Sequence, residues 1–331
     1  MPDPFRKSRA GAPAGFFRCE AAGLEWLRAA GGARVVWVLG VGDDHLDLVR
    51  LSPTRPTPDA ARAFGRALAA THDAGSAAFG APPDGWPGDG FFGPMDAPLP
   101  MAAGHHTSWG EFLAERRLRP LAGWLRRARA ADEATLTALE RLSDRLARGD
   151  LDDDDAPARL HGDLWSGNVV WTAAGATLID PAAHGGHRET DLAMLALFGL
   201  PFLDETLAGY QEVHPLRTGW RGRAGLHQVY PVGIHALLFG GGEAAGEHGG
   251  VAVERESERA QEQIKRFVVR VGRDLPEREA MLGVGGFGER EPVGEGDARH
   301  VRGSARTSDR GAQCASVWKI RTNGYETRAI T

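Results

Sequence analysis

The apolar positions of residues 1–52 predict one helix followed by a pair of strands. Between residues 13 and 32, apolar side chains recur every three or four positions, the spacing of one helical face, at Phe16, Phe17, Leu24 and Leu27. The glycines at positions 31 and 32 end this pattern. Residues 33–51 then contain two strand-like runs separated by GVGDD (40–44), which is typical of a hairpin. The sequence therefore predicts a small lobe that contains both a helix and strands.

From residue 53 to 242 the pattern is mainly helical. One predicted helix begins at the Thr57 cap with Pro58 in its first turn, and its apolar face carries Phe64, Leu68 and Thr71. A second helix has leucines at three- and four-residue spacing and ends at Gly149; these are Leu136, Leu139, Leu142 and Leu146. Residues 79–100, rich in Gly, Pro and aromatic residues, predict a long irregular loop, and such loops often carry function. The middle of the chain is therefore predicted to be a large helical lobe.

Residues 243–331 form an atypical tail. One charged helix is conceivable over 251–271, but beyond Pro276 the chain is rich in Gly, Arg and Glu and has little apolar periodicity. Such a composition cannot bury enough apolar surface to offset the entropy of ordering. We therefore expect disorder from about residue 277 and three segments in all, namely 1–52, 53–242 and 243–331.

Charge and composition narrow the functional classes. The net charge of -5 argues against general attraction to nucleic acid or to an anionic membrane. Cys19 and Cys314 are too far apart in sequence to suggest a metal cluster or a disulfide framework, so a reducing compartment is expected. The N-terminal residues lack an apolar leader, and no run of 18 apolar residues occurs. These features predict a soluble cytoplasmic protein without nucleic-acid or membrane partners.

The candidate chemistry lies between residues 160 and 194. Two strand-like runs, 169–171 and 176–179, are separated by TAAG and predict a hairpin with Asn168 before it and Asp180 after it. Pairing of the strands would bring an amide oxygen and a carboxylate together, a ligand set suited to Mg²⁺. Asp163, in a glycine-containing loop, is placed to accept a proton from a substrate hydroxyl. The arrangement Asp-x₄-Asn-x₁₁-Asp fits phosphoryl transfer from a nucleotide, although each Asp taken alone could simply cap a turn.

The residues of this segment resemble the fructosamine kinase (ketosamine 3-kinase) family, whose fold is protein-kinase-like and similar to that of aminoglycoside phosphotransferases. HGDLWSGN (161–168) and LIDPAAHGGHRETDLAM (178–194) carry most of the resemblance. LAATHDAG (68–75), SWGEFLAERRLRP (108–120) and HALLFGGG (235–242) add to it, and together these matches extend it over roughly residues 5–242. The resemblance implies an α+β, two-lobe fold with a truncated small lobe that contains strands and a mainly helical large lobe.

The resemblance also implies roles for individual residues. Asp163 would be the catalytic base, and Asn168 and Asp180 would bind Mg²⁺. Lys7 would hold the α- and β-phosphates of ATP with Glu20 as its ion-pair partner, although a solvated lysine and an exposed glutamate are the simpler interpretations of these residues alone. The backbone of Leu48, Val49 and Arg50 would contact adenine.

Other polar residues of the segment 160–194 have expected structural roles. We expect Asp191 to cap the following helix and to brace the catalytic loop, and His161 to support the loop backbone. Trp165 is equally compatible with a wall of the substrate pocket and with a core position.

The implied substrates are ketosamines, meaning sugar adducts of free or protein-bound lysine, whose phosphorylation would lead to loss of the sugar. The family pattern has glycine-rich strands over the ATP phosphates, whereas only MPDPF precedes Arg6 and Lys7 here. This difference predicts either a truncated start or a variant with an open nucleotide site, and the lost backbone donors would weaken positioning and charge stabilisation.

Two alternative functions stay open from the sequence. One is an aminoglycoside or other small-molecule phosphotransferase, for which an acidic substrate lobe is expected; DLDDDD (150–155) is acidic but is interpreted more simply as a solvated linker. The other is a pseudokinase, which the missing glycine-rich strands favour and the set of Asp163, Asn168 and Asp180 opposes.

Overall fold

The small lobe is an antiparallel sheet covered by one helix. The computed structural model describes residues 4–239 together with Lys265 and Val268. The elements of this lobe are β1 (Pro4–Ser8), α1 (Phe16–Ala29), β2 (Arg34–Val35), β3 (Val38–Val41) and β4 (His45–Val49). Three of the strands pair in the order β1-β4-β3, and Lys7 lies opposite Leu46. Because strand residues alternate between faces, Lys7 shares the inner face with Phe5 and with the buried Leu46 and Leu48.

The large lobe combines helices with short hairpins. Its helices are α2 (Pro58–Asp73), α3 (Trp109–Leu113), α4 (Arg119–Arg127), α5 (Glu133–Ala147), α6 (Arg188–Leu197), α7 (Leu203–Val213) and α8 (Trp220–Phe239). Its strands are β5 (Gly90–Phe92), β6 (Leu99–Met101), β7 (Ala158–Leu160), β8 (Val169–Thr172), β9 (Gly175–Leu178) and β10 (His184–Gly186). A π-helical turn, Ala114–Leu118, joins α3 to α4. None of the helices in the described part of the chain has the length and hydrophobicity that crossing a bilayer requires.

The predicted helices α1, α2 and α5 are confirmed. The charged helix considered over 251–271 lies, apart from Lys265 and Val268, outside the described residues. The Thr57 side chain accepts a hydrogen bond from the backbone N–H of Ala60 and Pro58 opens α2, while Gly149 follows α5 with a φ of 74°. The hairpin β8–β9 forms as predicted, and Val169 pairs with Leu178. These elements carry strong local signals, which is why the pattern of apolar residues was sufficient to place them.

Two predictions about the strands need correction. The predicted hairpin around GVGDD forms between β3 and β4, but the first run is not a single strand. Its first part, Arg34–Val35, is a separate strand that pairs in parallel with β9. Residues 79–100 are irregular for most of their length but contain β5 and end in β6, which pair with each other. Strands this short are fixed by their partners more than by their own sequence.

The apolar core has two clusters. One joins the small lobe to the neighbouring part of the large lobe and includes Phe17, Leu46, Leu178 and Tyr210. The other lies among α3, α4, α5 and α8 and includes Val268, which is 1% exposed. Lys265 contacts Asp132 at 2.9 Å. The boundary at residue 242 and the disorder expected from about residue 277 lie outside the described residues.

Candidate active site

The catalytic loop is the segment between β7 and β8, residues 161–168. Gly162 has a φ of 82°, and a Cβ atom there would lie 2.1 Å from the carbonyl oxygen of Ala182. Only glycine combines this backbone conformation with so close an approach. A 3₁₀ turn, Ser166–Asn168, then leads into the hairpin, and Asp180 follows β9 with a φ of 52°. The loop and the end of the hairpin are therefore held side by side.

The structure brings Asp163, Asn168 and Asp180 together. The Asn168 amide nitrogen donates to the backbone carbonyl of Asp163 at 2.8 Å and to its carboxylate Oδ2 at 3.2 Å. The same nitrogen lies 3.4 Å from the backbone carbonyl oxygen of Asp180. The hairpin thus places the three residues at one point, as its strand pairing predicts.

Lys7 and Glu20 meet at the same point from the small lobe. The Lys7 ammonium donates to the two carboxylate oxygens of Glu20 at 3.0 and 2.9 Å and lies 3.2 Å from Oδ1 of Asp180. Glu20 lies in the apolar stripe of α1, one turn from Leu24, and is buried. Its carboxylate therefore needs a buried partner, which Lys7 supplies. Neither residue is an ordinary surface charge.

The surroundings of Asp163 and Lys7 shift the pKa values of these two groups in ways that suit different roles. Burial raises the pKa of Asp163 to about 7, and the nearby Asp180 carboxylate adds to this effect against the hydrogen bond from Asn168. Burial lowers the pKa of Lys7, but the carboxylates of Glu20 and Asp180 outweigh it, so the net pKa is raised. Lys7 is therefore a fixed cation, whereas Asp163 is poised to exchange a proton near neutral pH.

Asn168 and Asp180 offer a donor set that fits Mg²⁺. Because the amide nitrogen of Asn168 is bonded to Asp163, its Oδ1 is the atom left for a metal. The Asp180 side chain is 43% exposed and so is accessible from the cleft. Hard oxygen ligands from two residues, with the rest of the shell left to water and phosphate, are the usual set for Mg²⁺. An ion there would neutralise phosphate charge.

The segment expected to contact adenine lies at the end of β4. Leu48 is buried, and the backbone N–H of Val49 donates to the carbonyl of Trp37 at 2.9 Å. The strand ends at Val49, and the Arg50 guanidinium donates to the carbonyl of Pro4 at 3.2 Å. Two of the three residues thus belong to a paired strand, and their adenine-binding role stays a prediction.

Asp191 braces the catalytic loop from behind. Its carboxylate accepts the backbone N–H groups of His161 at 2.8 Å and Gly162 at 3.0 Å. His72 lies 3.2 Å from the same carboxylate and 2.8 Å from the hydroxyl of Tyr210. The expected brace is confirmed, but the expected cap is wrong, because His187 caps α6 and Asp191 lies inside its first turn.

His161 supports the loop as expected. Its Nε2 lies 2.8 Å from the carbonyl oxygen of Ile179, and its Nδ1 lies 3.3 Å from the backbone nitrogen of Asp163. Burial lowers the pKa of His161, so the ring is neutral, donates through Nε2 and accepts through Nδ1. Trp165 is half-buried and packs edge-on against Phe198.

The acidic run 150–155 is not a solvated linker, and that prediction is wrong. Asp152 accepts hydrogen bonds from the Ser108 hydroxyl at 2.6 Å and from the backbone N–H of Gly110 at 2.7 Å. Asp153 is 5% exposed and lies 3.0 Å from the His187 ring. The run is used to join segments inside the large lobe, so it does not give that lobe an exposed acidic face.

Comparison with solved structures defines the class of protein. A crystal structure of a Thermobifida fusca protein assigned as a fructosamine-3-kinase is 42% identical, covers 81% of this chain and 85% of its own, and gives a TM-score of 0.68. A choline/ethanolamine kinase family protein from Mesorhizobium loti is 16% identical, with 84% and 88% coverage and a TM-score of 0.50. The fold is therefore the protein-kinase-like fold of small-molecule kinases, and the protein is a phosphotransferase.

The family follows from sequence comparison. The family model described as fructosamine kinase matches residues 3–250. A protein of Vibrio parahaemolyticus, named as a probable ketoamine kinase, is 33% identical over 230 residues, which are 68% of this chain and 75% of its own. This chain belongs to the fructosamine kinase family, which confirms the expectation based on its motifs.

Several residues of the site could not be singled out from sequence. His72 contacts Asp191, 119 positions further along the chain, and no local spacing indicates this contact. Tyr210 and Arg188 extend the same hydrogen-bonded group through the Tyr210 hydroxyl. The motif LAATHDAG was the one signal that pointed to His72, because it belongs to the resemblance.

Proposed function

We propose that this chain transfers the γ-phosphoryl group of ATP to a sugar hydroxyl of a ketosamine formed on lysine, with fructosamines and ribulosamines as substrates. Membership of the fructosamine kinase family supports ATP-dependent phosphorylation of ketosamines. The observation that carries the finer proposal is the meeting of Lys7 and Glu20 with Asp163, Asn168 and Asp180 at one point of the cleft. Phosphorylation would destabilise the adduct and release the sugar, so the proposed role is deglycation in the cytoplasm.

Each residue of this group has a proposed part in the reaction. The acceptor hydroxyl oxygen bonds to the γ-phosphorus, the bond to the β-γ bridging oxygen breaks, and ADP leaves. The hydroxyl proton passes to the carboxylate of Asp163, whose pKa near 7 suits this exchange. Lys7, held by Glu20, binds the α- and β-phosphates. Asn168 and Asp180 would hold Mg²⁺, which would neutralise the phosphate charge.

The test is ATP consumption with Mg²⁺ on purified protein, with ribulose-lysine and fructose-lysine as acceptors. We expect turnover that depends on the acceptor and that falls by at least about a thousandfold in Asp163→Asn, since this variant cannot accept the proton. Asp43→Asn is the matched control, because Asp43 is an exposed carboxylate of the small lobe that contacts Arg18 at 3.0 Å. ATP binding without turnover in the unaltered protein would identify a pseudokinase instead.

A further inference from the structure

A second feature of the large lobe lies directly beside the catalytic loop. A cavity of about 30 Å³ is enclosed by α3, the π-helical turn, α6 and α8, and Gly162 forms part of its wall. Gly162 precedes Asp163, so the cavity and the proposed catalytic base share one loop. Most of the other lining residues are apolar or aromatic, including Phe112 and Tyr230. The cavity has room for about two water-sized atoms.

The charged group in this wall is Arg117. Its side chain comes from the π-helical turn and is only 3% exposed. One nitrogen, Nη1, donates to the backbone carbonyls of Ala102 at 2.9 Å and Arg116 at 3.0 Å. The guanidinium lies over the ring of Phe112, 4.6 Å from its centre. Among the described residues, Nε and Nη2 have no hydrogen-bond acceptor, and no carboxylate pairs with Arg117.

A buried guanidinium of this kind is unusual. Buried arginines are normally paired with a carboxylate, since desolvation of an uncompensated charge is costly. Burial indeed lowers the pKa of Arg117. No Asp or Glu occurs among the described residues that line the cavity, whereas Arg117 does. The described part of the chain therefore supplies no anionic partner for Arg117, and an anionic group of a ligand would complete the site.

A metal ion does not explain this cavity. His187 and His227 lie in its wall. One ring nitrogen of each and a carboxylate oxygen of Glu189 lie within 4.8 Å of one another, a separation that a shared metal ion would allow. However, the ring nitrogens of His187 are bonded to Asp153 at 3.0 Å and to the backbone N–H of Glu189 at 3.1 Å. Arg223 also donates to the Glu189 carboxylate at 3.0 Å. A cation placed there would face the Arg223 guanidinium, which argues against a metal site.

The shape of the free donors identifies the anion. A guanidinium offers two parallel N–H groups that match the two oxygens of a carboxylate. Two oxygens are also what a space of about 30 Å³ accommodates. Tyr230 belongs to the same wall, and its ring centre lies 5.8 Å from the Arg117 guanidinium.

We propose that this cavity binds a carboxylate carried by the acceptor, so that the enzyme selects ketosamines formed on free amino acids over ketosamines without an acid group. The inference rests on the proposed function, because it places the acceptor beside Asp163. It favours small-molecule adducts over glycated side chains of folded proteins, which present no carboxylate at a fixed distance from the sugar.

The first experiment compares matched acceptors on the unaltered protein. Fructose adducts of glycine, 4-aminobutyrate and 6-aminohexanoate are each paired with the adduct of the amine that lacks the carboxylate, namely methylamine, propylamine and pentylamine. Calorimetry without ATP gives each Kd, and ATP consumption gives each kcat/KM. For at least one chain length we expect the acid to bind about tenfold or more tightly, as charge-assisted bonds to a buried guanidinium provide. We expect that acetate added together with the neutral adduct does not reproduce this gain, because the proposed site binds a carboxylate that is part of the acceptor.

The second experiment assigns the preference to Arg117. Arg117→Met removes the charge, and Arg116→Met is the matched control because Arg116 is the exposed neighbour in the same turn. We expect the ratio of acid to neutral Kd to fall to about one in Arg117→Met and to stay unchanged in Arg116→Met. If Arg117→Met does not fold, Arg117→Lys, which keeps the charge but loses the planar pair of donors, is expected to show a smaller ratio than the unaltered protein.

The outcomes separate this inference from the proposed function. Equal binding of acid and neutral adducts at all three lengths overturns the inference, even where both are phosphorylated. A preference that survives in folded Arg117→Met overturns it as well. Preferential binding of the acids without ATP consumption supports the carboxylate site and contradicts the proposed kinase activity.

Discussion

Asp191 fixes the backbone of the catalytic loop although it is not placed to touch the reacting atoms. The two N–H groups it accepts belong to the residues immediately before Asp163, so its carboxylate sets the direction in which Asp163 leaves the loop. His72 and Tyr210 in turn set the orientation of Asp191. A buried carboxylate with several donors is strongly held, because every lost bond leaves an unsatisfied group.

Asp191→Asn should therefore slow the reaction through position alone. An amide accepts at one atom only, and its NH₂ group would face a backbone N–H or the His72 ring. We expect kcat to fall at least tenfold with little change in the KM for ATP, together with a loss of about 2 kcal/mol in unfolding free energy. Steady-state kinetics and urea unfolding measure both. Asp204→Asn, a replacement at an exposed position of α7, is the control. A change in the KM for ATP as large as the change in kcat would contradict the positioning role.

For individual residues, the sequence indicated the site residues that belong to known motifs, but it did not indicate those that are defined by contacts with distant parts of the chain. Lys7, Glu20, Asp163, Asn168 and Asp180 were expected to lie together, and the structure brings them together, although their catalytic roles stay predictions. The contact of His72 with Asp191 joins residues 119 positions apart, and the isolation of Arg117 depends on which residues surround it. Neither property is encoded in local spacing.

Among the elements, α2 and α7 show how closely two helices can approach when glycine lies at the crossing. A Cβ atom on Gly65 of α2 would lie 1.9 Å from the carbonyl oxygen of Thr206, and one on Gly209 of α7 would lie 2.0 Å from that of Arg62. These backbone contacts cannot be relieved by a change of rotamer. The crossing brings His72 of α2 close to Tyr210 of α7. His72 in turn contacts the Asp191 carboxylate.

Gly65→Ala should separate the two helices. We expect a loss of about 2 kcal/mol or more in unfolding free energy, since overpacking of a tight contact typically costs about 1–3 kcal/mol. Gly222→Ala in α8 is the matched control, because its new Cβ meets nothing within 4 Å and alanine favours the helix. Thermal and urea unfolding compare the two variants, and equal stability of both would disprove the close crossing.

The elements that sequence predicted best are those with a full set of local signals. The helices α1, α2 and α5 have an apolar stripe and terminal residues that stop or cap them, and these patterns are independent of the rest of the chain. The strand β2 has two residues and is defined by hydrogen bonds to β9 more than 140 positions away. Its place could not be found from its own residues.

For the whole molecule, a buried ion cluster ties together three segments that are distant in sequence. The buried ion cluster consists of Asp153, His187, Glu189, Arg223 and His227, and all five side chains are buried. Glu189 accepts from the Arg223 guanidinium, and His187 bonds to Asp153. The loop before β7 and the helices α6 and α8 are thus joined by charge as well as by apolar contact.

The cluster predicts how stability depends on pH. Burial raises the pKa of Glu189, but the contacts of His227 and Arg223 outweigh this and leave it at about 2, below its ordinary value of 4.5. A carboxyl with a depressed pKa contributes its stability above the ordinary value and loses it as the pH falls through the folded value. This shift corresponds to about 3 kcal/mol, which should disappear between about pH 4.5 and pH 2.

Glu189→Gln should remove that dependence. At pH 7 we expect the variant to be less stable by about 3 kcal/mol, because the buried Arg223 loses the closer of its two carboxylates and keeps only Asp153 at 3.4 Å. The difference from the unaltered protein should narrow as the pH falls from 5 to 3. Urea unfolding across this range provides the measurement, and Glu140→Gln, an exposed glutamate paired with Arg126, is the control. A difference that is constant with pH would contradict the depressed pKa.

The pairing of β2 with β9 has a mechanical consequence for the cleft. Arg34 and Val35 of the small lobe lie beside Thr177 and Leu178, and the backbone N–H of Val36 donates to the carbonyl of Leu178 at 3.0 Å. If the two lobes rotate against each other while the hydrogen bonds between β2 and β9 stay intact, the rotation axis must lie close to these bonds. Atoms near an axis move least, so Asp180, two residues further on, stays nearly still while the far rim of the cleft swings. Nucleotide could then enter and leave without displacement of that carboxylate.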